Sequence, residues 1–150
     1  MGESLLNRAM EFALARLKEA SGDIICLPIP LQTVIVVDSA QGIIDNGGLE
    51  YFYESDFVGT PDYGFFVSAY RRIGAEVAAS CIETTSAMFP FDKPHLHEAK
   101  RLSWLDKVLG DESHPFVQLS RRVCGDQTVF LKLGQYVEAN LEAFSLAGPS

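Results

Sequence analysis

Paired carboxylates are the first chemistry the chain offers. Glu50 and Glu54 stand four residues apart, so on a helix they lie side by side on one face. Such a pair does general acid–base work when a desolvated cleft splits the two proton affinities, and nothing around these two marks a cleft. His95-x-His97-Glu98, with His114 further on, brings imidazoles of the kind that bind zinc. On a helix, positions 95 and 97 point about 200° apart and cannot share an ion; in a loop after Pro94 they can approach. No Cys-x-x-Cys and no His-Glu-x-x-His completes a site, and the three histidines read as surface or capping residues. Cys81 sits on an apolar helical stripe with Ala78, Ile82 and Thr85 and reads as a core residue. Gly-x-Ser-x-Gly, the phosphate-binding Gly-Lys-Ser/Thr loop and the dinucleotide Gly-x-Gly-x-x-Gly are absent. The expectation is a protein with no catalytic residues, no metal and no cofactor.

Charge carries the positive signal. Between Lys18 and Arg71 there is no lysine and no arginine, while Glu19, Asp23, Asp38, Asp45, Glu50, Glu54, Asp56 and Asp62 supply eight acids. Elsewhere twelve acids meet twelve bases, so this stretch accounts for the whole net charge of −8. A one-signed region is a statement about partners. It points to a basic protein surface and away from direct nucleic-acid binding; Lys100-Arg101 and Arg121-Arg122 are too small for a nucleic-acid footprint. The competing reading is a solvated face that aids solubility, or one neutralised by Arg71, Arg72 or Lys100 folding back.

The elements that position these groups read as helices. The 150 residues suit one domain, 1–150, and the 47% hydrophobic fraction with ten Phe supports a proper core. Three widely spaced cysteines, Cys26, Cys81 and Cys124, suit a reducing cytoplasm. Charged residues through the first eighteen positions argue against a signal peptide or membrane span. Ser4 caps a first helix with Leu5, Leu6, Ala9, Met10, Ala13 and Leu17 at helical spacing, ended by Ser21-Gly22. Leu27-Pro28-Ile29-Pro30 reads as a stiff extended connector. Thr33-Val34-Ile35-Val36-Val37 is β-branched and reads locally as a strand. Pro30 and the stripe Val36, Ala40, Ile43 and Ile44 favour a helix to about Asp45 instead.

Asn46-Gly47-Gly48 breaks that helix, and a short one follows to about Ser55. Thr60-Pro61-Asp62 starts another, with Thr60 as cap, and Gly74 interrupts it. A helix over 95–109 should turn Leu102, Leu105 and Leu109 inward. One around Phe116, Leu119 and Val123 follows, and a last one carries Phe130, Leu133, Val137, Leu141 and Phe144 on one stripe. The expected fold is all-α, a single compact domain of six to eight helices of unequal length.

Asn46-Gly47-Gly48-Leu49-Glu50-Tyr51-Phe52-Tyr53 resembles the Asn-Gly-Gly-aromatic-x-x-Phe motif of the bacterial DNA-mimic protein domain family, with Leu49 where an aromatic residue is usual. Ala69-Tyr70-Arg71-Arg72-Ile73-Gly74-Ala75 is similar to that family's second signature, and the likeness extends over about residues 30–145. The resemblance implies an acidic helical protein that binds a DNA-binding protein, such as a transcription factor, by imitating double-stranded DNA. Asn46, Gly47, Gly48, Phe52 and Gly74 are then structural: the glycines permit positive φ, Asn46 satisfies backbone groups at the junction, and Leu49, Phe52 and Tyr53 share a face. A direct binding role for the corner is the competing reading.

The leading expectation is a non-enzymatic protein presenting Asp38, Asp45, Glu50, Glu54, Asp56 and Asp62 to a basic partner. The alternatives are a small helical enzyme or ligand binder using Cys81, His95 or His97, and an immunity or antitoxin-like inhibitor.

Overall fold

The computed structural model describes residues 4–146, and every regular element among them is helical. Helix α1, Leu5–Glu19, begins where the Asn7 N–H donates to Ser4 Oγ at 3.1 Å. It buries Ala9 and Ala13. It ends with Gly22 N–H bonded to Leu17 O and Ser21 N–H to Lys18 O, both residues at positive φ.

Helix α2, Ile29–Glu54, is the axis of the molecule. The expected connector is shorter than its prolines suggest. Ile24–Cys26 is a 3-10 turn, Pro28 occupies the capping position and Pro30 already lies in the first turn of α2. The β-branched run is helical, and every residue from 31 to 37 is buried. Local strand preference loses because α1, α3, α6 and α7 (below) surround this helix, and an enclosed helix is apolar all round.

Helix α3, Tyr63–Arg72, starts two residues later than the sequence suggests. Asp62 Oδ1, not Thr60, accepts the Phe65 N–H, at 3.0 Å. Gly74, at φ 80°, closes α3: its N–H reaches Arg71 O and the Ala75 N–H reaches Tyr70 O. Helix α4 is Glu76–Ser86. Helix α5, Glu98–Val108, begins later than the expected 95, because Pro94–Leu96 forms a 3-10 turn. Leu102 and Leu109, expected inward, are exposed; Arg101, Leu105 and Val108 face the core. Helix α6 is Pro115–Val123 and α7 is Thr128–Glu138. The expected last stripe is split: Leu141 and Phe144 belong to a separate 3-10 turn, and Val129 rather than Phe130 is fully buried.

An aromatic cluster joins the second half of α2 to α3, α4, α5 and α6. Phe52 stacks edge-on to Phe66 at 5.0 Å and Tyr53 to Phe89 at 5.1 Å between ring centroids. The Tyr53 hydroxyl donates to Ile82 O at 3.0 Å and lies 2.6 Å from Thr85 Oγ1.

Beside this cluster lies Arg101, 1% exposed. Its Nε donates to Tyr53 O at 2.8 Å, Nη1 to Pro94 O at 2.9 Å and Nη2 to Asp56 Oδ1 at 2.7 Å. The guanidinium therefore satisfies a carbonyl that the end of α2 leaves open and ties that end to α5. Replacing Arg101 by Met orphans two carbonyls, at a cost on the order of 3 kcal/mol. Urea unfolding should show a lower midpoint at unchanged slope, with a smaller shift for Asp56→Asn because the amide oxygen can still accept from Nη2 and both carbonyl bonds remain. Equal shifts would mean that the ion pair, not the carbonyl bonding, holds the joint.

Candidate functional site

The solvent-facing side of α2 carries the exposed Ser39, Gly42, Asp45, Asn46 and Tyr51 and the half-buried Asp38, Glu50 and Glu54, with no base among them. Positions 38 and 45 lie two turns and roughly 10 Å apart along the axis. The six acids expected to meet a partner divide into two sets.

Three of them have structural work. Asp45 Oδ1 accepts the Gly125 N–H at 2.7 Å and Gln41 Nε2 at 2.7 Å. Gln41, fully buried, also donates to Val123 O at 3.0 Å and accepts the Tyr70 hydroxyl at 3.0 Å. This chain of polar groups latches α2 to α3 and to the end of α6. Asp56 is bound by Arg101, which holds its carboxyl below the usual range; the neighbouring Glu98 is pushed up by its contact with Asp56. Asp62 caps α3.

Asp38, Glu50 and Glu54 make no hydrogen bond or ion pair among the described residues. Burial pushes the Asp38 carboxyl up, half-exposed as it is. Burial, then the charge of Glu54, does the same to Glu50. Like charges at this spacing repel, so the fold holds these groups against their own preference. The bases suspected of folding back do not reach them. Arg71 pairs with Glu76 and Glu83, Arg72 donates to Thr33 Oγ1 at 2.7 Å, and Lys100 lies over the Phe91 ring.

The Asn-Gly-Gly corner sets the angle between the two parts of this face. Gly47 and Gly48 depart from helical geometry inside α2, and Gly48 has φ 76° and ψ −171°. The Leu49 N–H, freed by the bend, donates to Ser120 Oγ of α6 at 2.8 Å. Asn46 was expected to satisfy the junction; its side chain is exposed and bonds nothing among the described residues, and Ser120 takes that task. Leu49, Phe52 and Tyr53 share a buried face as their spacing suggests.

The other candidate groups stand on separate supports. His95 sits edge-on to Tyr63, His97 to Phe91, and His114 Nδ1 accepts the Phe116 N–H at 3.0 Å to start α6. Cys81 is buried and burial pushes its thiol up, away from nucleophilic use. Among the described residues no three His, Cys, Asp or Glu side chains are grouped to hold a metal, and no helix is long and apolar enough to cross a membrane.

A Cβ at Gly48 would collide with Ser120 Oγ, and the backbone there disfavours any L side chain. Gly48→Ala should therefore cost roughly 1–3 kcal/mol. A Cβ at Gly47 meets the half-exposed Tyr51 side chain first, which can change rotamer, and Gly47 does not have a positive φ. Thermal unfolding of the two alanine variants should rank Gly48→Ala well below Gly47→Ala; equal losses would remove the corner's special role.

No curated protein and no solved structure matches this chain. A family model described as DMP19-like protein matches residues 26–140, from the turn before α2 to the end of α7. That span takes in the kinked helix, the acids on it and the polar latch beneath. The chain belongs to the DMP19-like protein family.

Proposed function

We propose that this protein binds a basic surface of another protein through the exposed face of α2, with Asp38, Glu50 and Glu54 as the leading contacts. The observation that carries this reading is their lack of internal partners, combined with the unfavourable setting of Asp38 and Glu50. Carboxylates that serve only the fold are paired or capping, as Asp45, Asp56 and Asp62 are. The resemblance to the DNA-mimic protein family supports a finer reading: the partner is a DNA-binding protein, such as a transcription factor, whose phosphate-contacting lysines and arginines meet these carboxylates instead. The role is non-enzymatic, and three free thiols are in keeping with a reducing cytoplasm. Asp45, Asp56 and Asp62 rank second as contacts and chiefly add field, since Oδ1 of each is already engaged in the fold.

The test is affinity capture from a cell extract at low salt, followed by elution with rising salt. The variant Asp38→Asn/Glu50→Gln/Glu54→Gln should weaken retention of the captured basic protein by on the order of tenfold, about 1.4 kcal/mol. Neutralising Glu138 and Glu142 should leave it unchanged. Unaltered retention in the triple variant would overturn the proposal.

Stability should move in the opposite direction. Asp38 and Glu50 have folded-state proton affinities above those of the unfolded chain, so their ionised forms oppose folding. Asp38→Asn/Glu50→Gln should raise the thermal midpoint at neutral pH. The gain should fade as pH falls through the folded and then the unfolded carboxylate values, where the native groups carry protons in both states. A lower midpoint at neutral pH would show that these acids stabilise the fold.

A further inference from the structure

The acidic region also holds an apolar groove that the charge argument does not use. It lies where the turn after α1 meets the loop before α3. An inner cavity of about 190 Å³ is lined by Ile24, Ile35, Phe57 and Phe65, and an outer one of about 300 Å³ by Ile25 and Val58. The two adjoin, sharing Gly22, Ile24, Val58, Pro61 and Phe65 in their walls. Val58 is 85% exposed and Ile25 75%, the two most exposed large apolar side chains among the described residues. A cavity of roughly 150 Å³ lined by such residues accepts a benzene ring, so the inner part has room for one leucine or phenylalanine side chain.

The charged residues in and next to its lining are acidic except Arg16 and Lys18, which flank the lining residue Leu17. Asp23 lines the outer part, Asp62 follows Pro61 in the wall, and Asp38 adjoins the lining residue Ser39. No lysine or arginine lines either cavity. A second copy of this chain would bring the same acids and a net charge of −8 against them, which disfavours self-association through this face. An apolar side chain carried on a lysine- or arginine-rich segment satisfies both the groove and its rim.

We propose that the groove formed by Ile24, Ile25, Phe57, Val58 and Phe65 receives a leucine or aromatic anchor from the basic segment of the partner. This deepens the reading of the acidic face and rests on it: the carboxylates steer the segment in and the groove holds it. Phosphate-like charge alone attracts any polycation, whereas an anchor selects one with an apolar residue in register.

The probes are two fluorescent peptides of equal positive charge, an oligolysine and an amphipathic Lys/Leu peptide, followed by anisotropy as salt is raised. Both should bind at low salt. At about 0.3 M salt, where exposed charges are largely screened, the Lys/Leu peptide should stay bound at least about tenfold tighter than oligolysine. Ile25→Ser/Val58→Ser should remove that advantage and leave oligolysine binding unchanged; both sites are at the surface, so the helical circular dichroism should be preserved. Equal binding of the two peptides, or no effect of the serine pair, would overturn the groove while leaving the acidic face intact. Failure of both peptides to bind at low salt would overturn the acidic face and the groove together. Equally tight binding of an uncharged Ser/Leu peptide would also overturn the proposal, as would self-association of the protein that the serine pair abolishes.

Discussion

The left-handed backbone at Gly48 bends α2 where it crosses α6, and the layout of the acidic face follows from that bend. Before it, α2 is a helix enclosed by four others, with only a narrow strip reaching solvent. After it, Leu49, Phe52 and Tyr53 turn into an aromatic core shared with α3, α4, α5 and α6. The bend frees one backbone donor, and Ser120 accepts from it. A straight helix through this point could not give both halves their buried faces. The direction in which Glu50 and Glu54 leave the surface, relative to Asp38, is thus fixed by a glycine and a serine rather than by the acids themselves.

Around that bend, polar groups do two kinds of work. The buried Gln41, Tyr70 and Arg101 are bonded, and with Oδ1 of the exposed Asp45 they join the central helix to its neighbours at three places. Buried polar groups of this kind specify one arrangement only when every member is satisfied, and no buried side-chain polar atom lacks a partner among the described residues. Asp38, Glu50 and Glu54 lie on the same helix and bond nothing. The contrast within one element separates a carboxylate that is bonded into the fold from those that have no side-chain partner. The proposed contact surface is thus a short strip of one helix rather than the whole molecule.

Much of this was legible in the sequence. Helical spacing located the seven helices, and Asn46-Gly47-Gly48 located the kink within a residue. Boundaries slipped where capping is chosen by geometry: Thr60 and Asp62 are both good caps, and the left-handed turn at Thr60 leaves Asp62 in the position that reaches Phe65. Arg101 was missed because a lone arginine in a charged helix reads as surface, and nothing local reveals the carbonyls of Tyr53 and Pro94 that meet it. Asp45 looked like its neighbours because its partner, the backbone of Gly125, lies far along the chain. A polar Gln41 in an otherwise apolar stripe was the one signal of the latch. Long-range partners of this sort decide which acids are free, and charge counting along the sequence cannot sort them.

The central claim is that the exposed face of α2 occupies the surface with which a basic partner meets phosphates. The most direct measurement is a competition titration: the captured partner bound to labelled duplex DNA, challenged with this protein at fixed salt. The account predicts mutually exclusive binding, with DNA released as the protein is added and no complex containing all three. A stable ternary complex, with DNA retained at saturating protein, would contradict it.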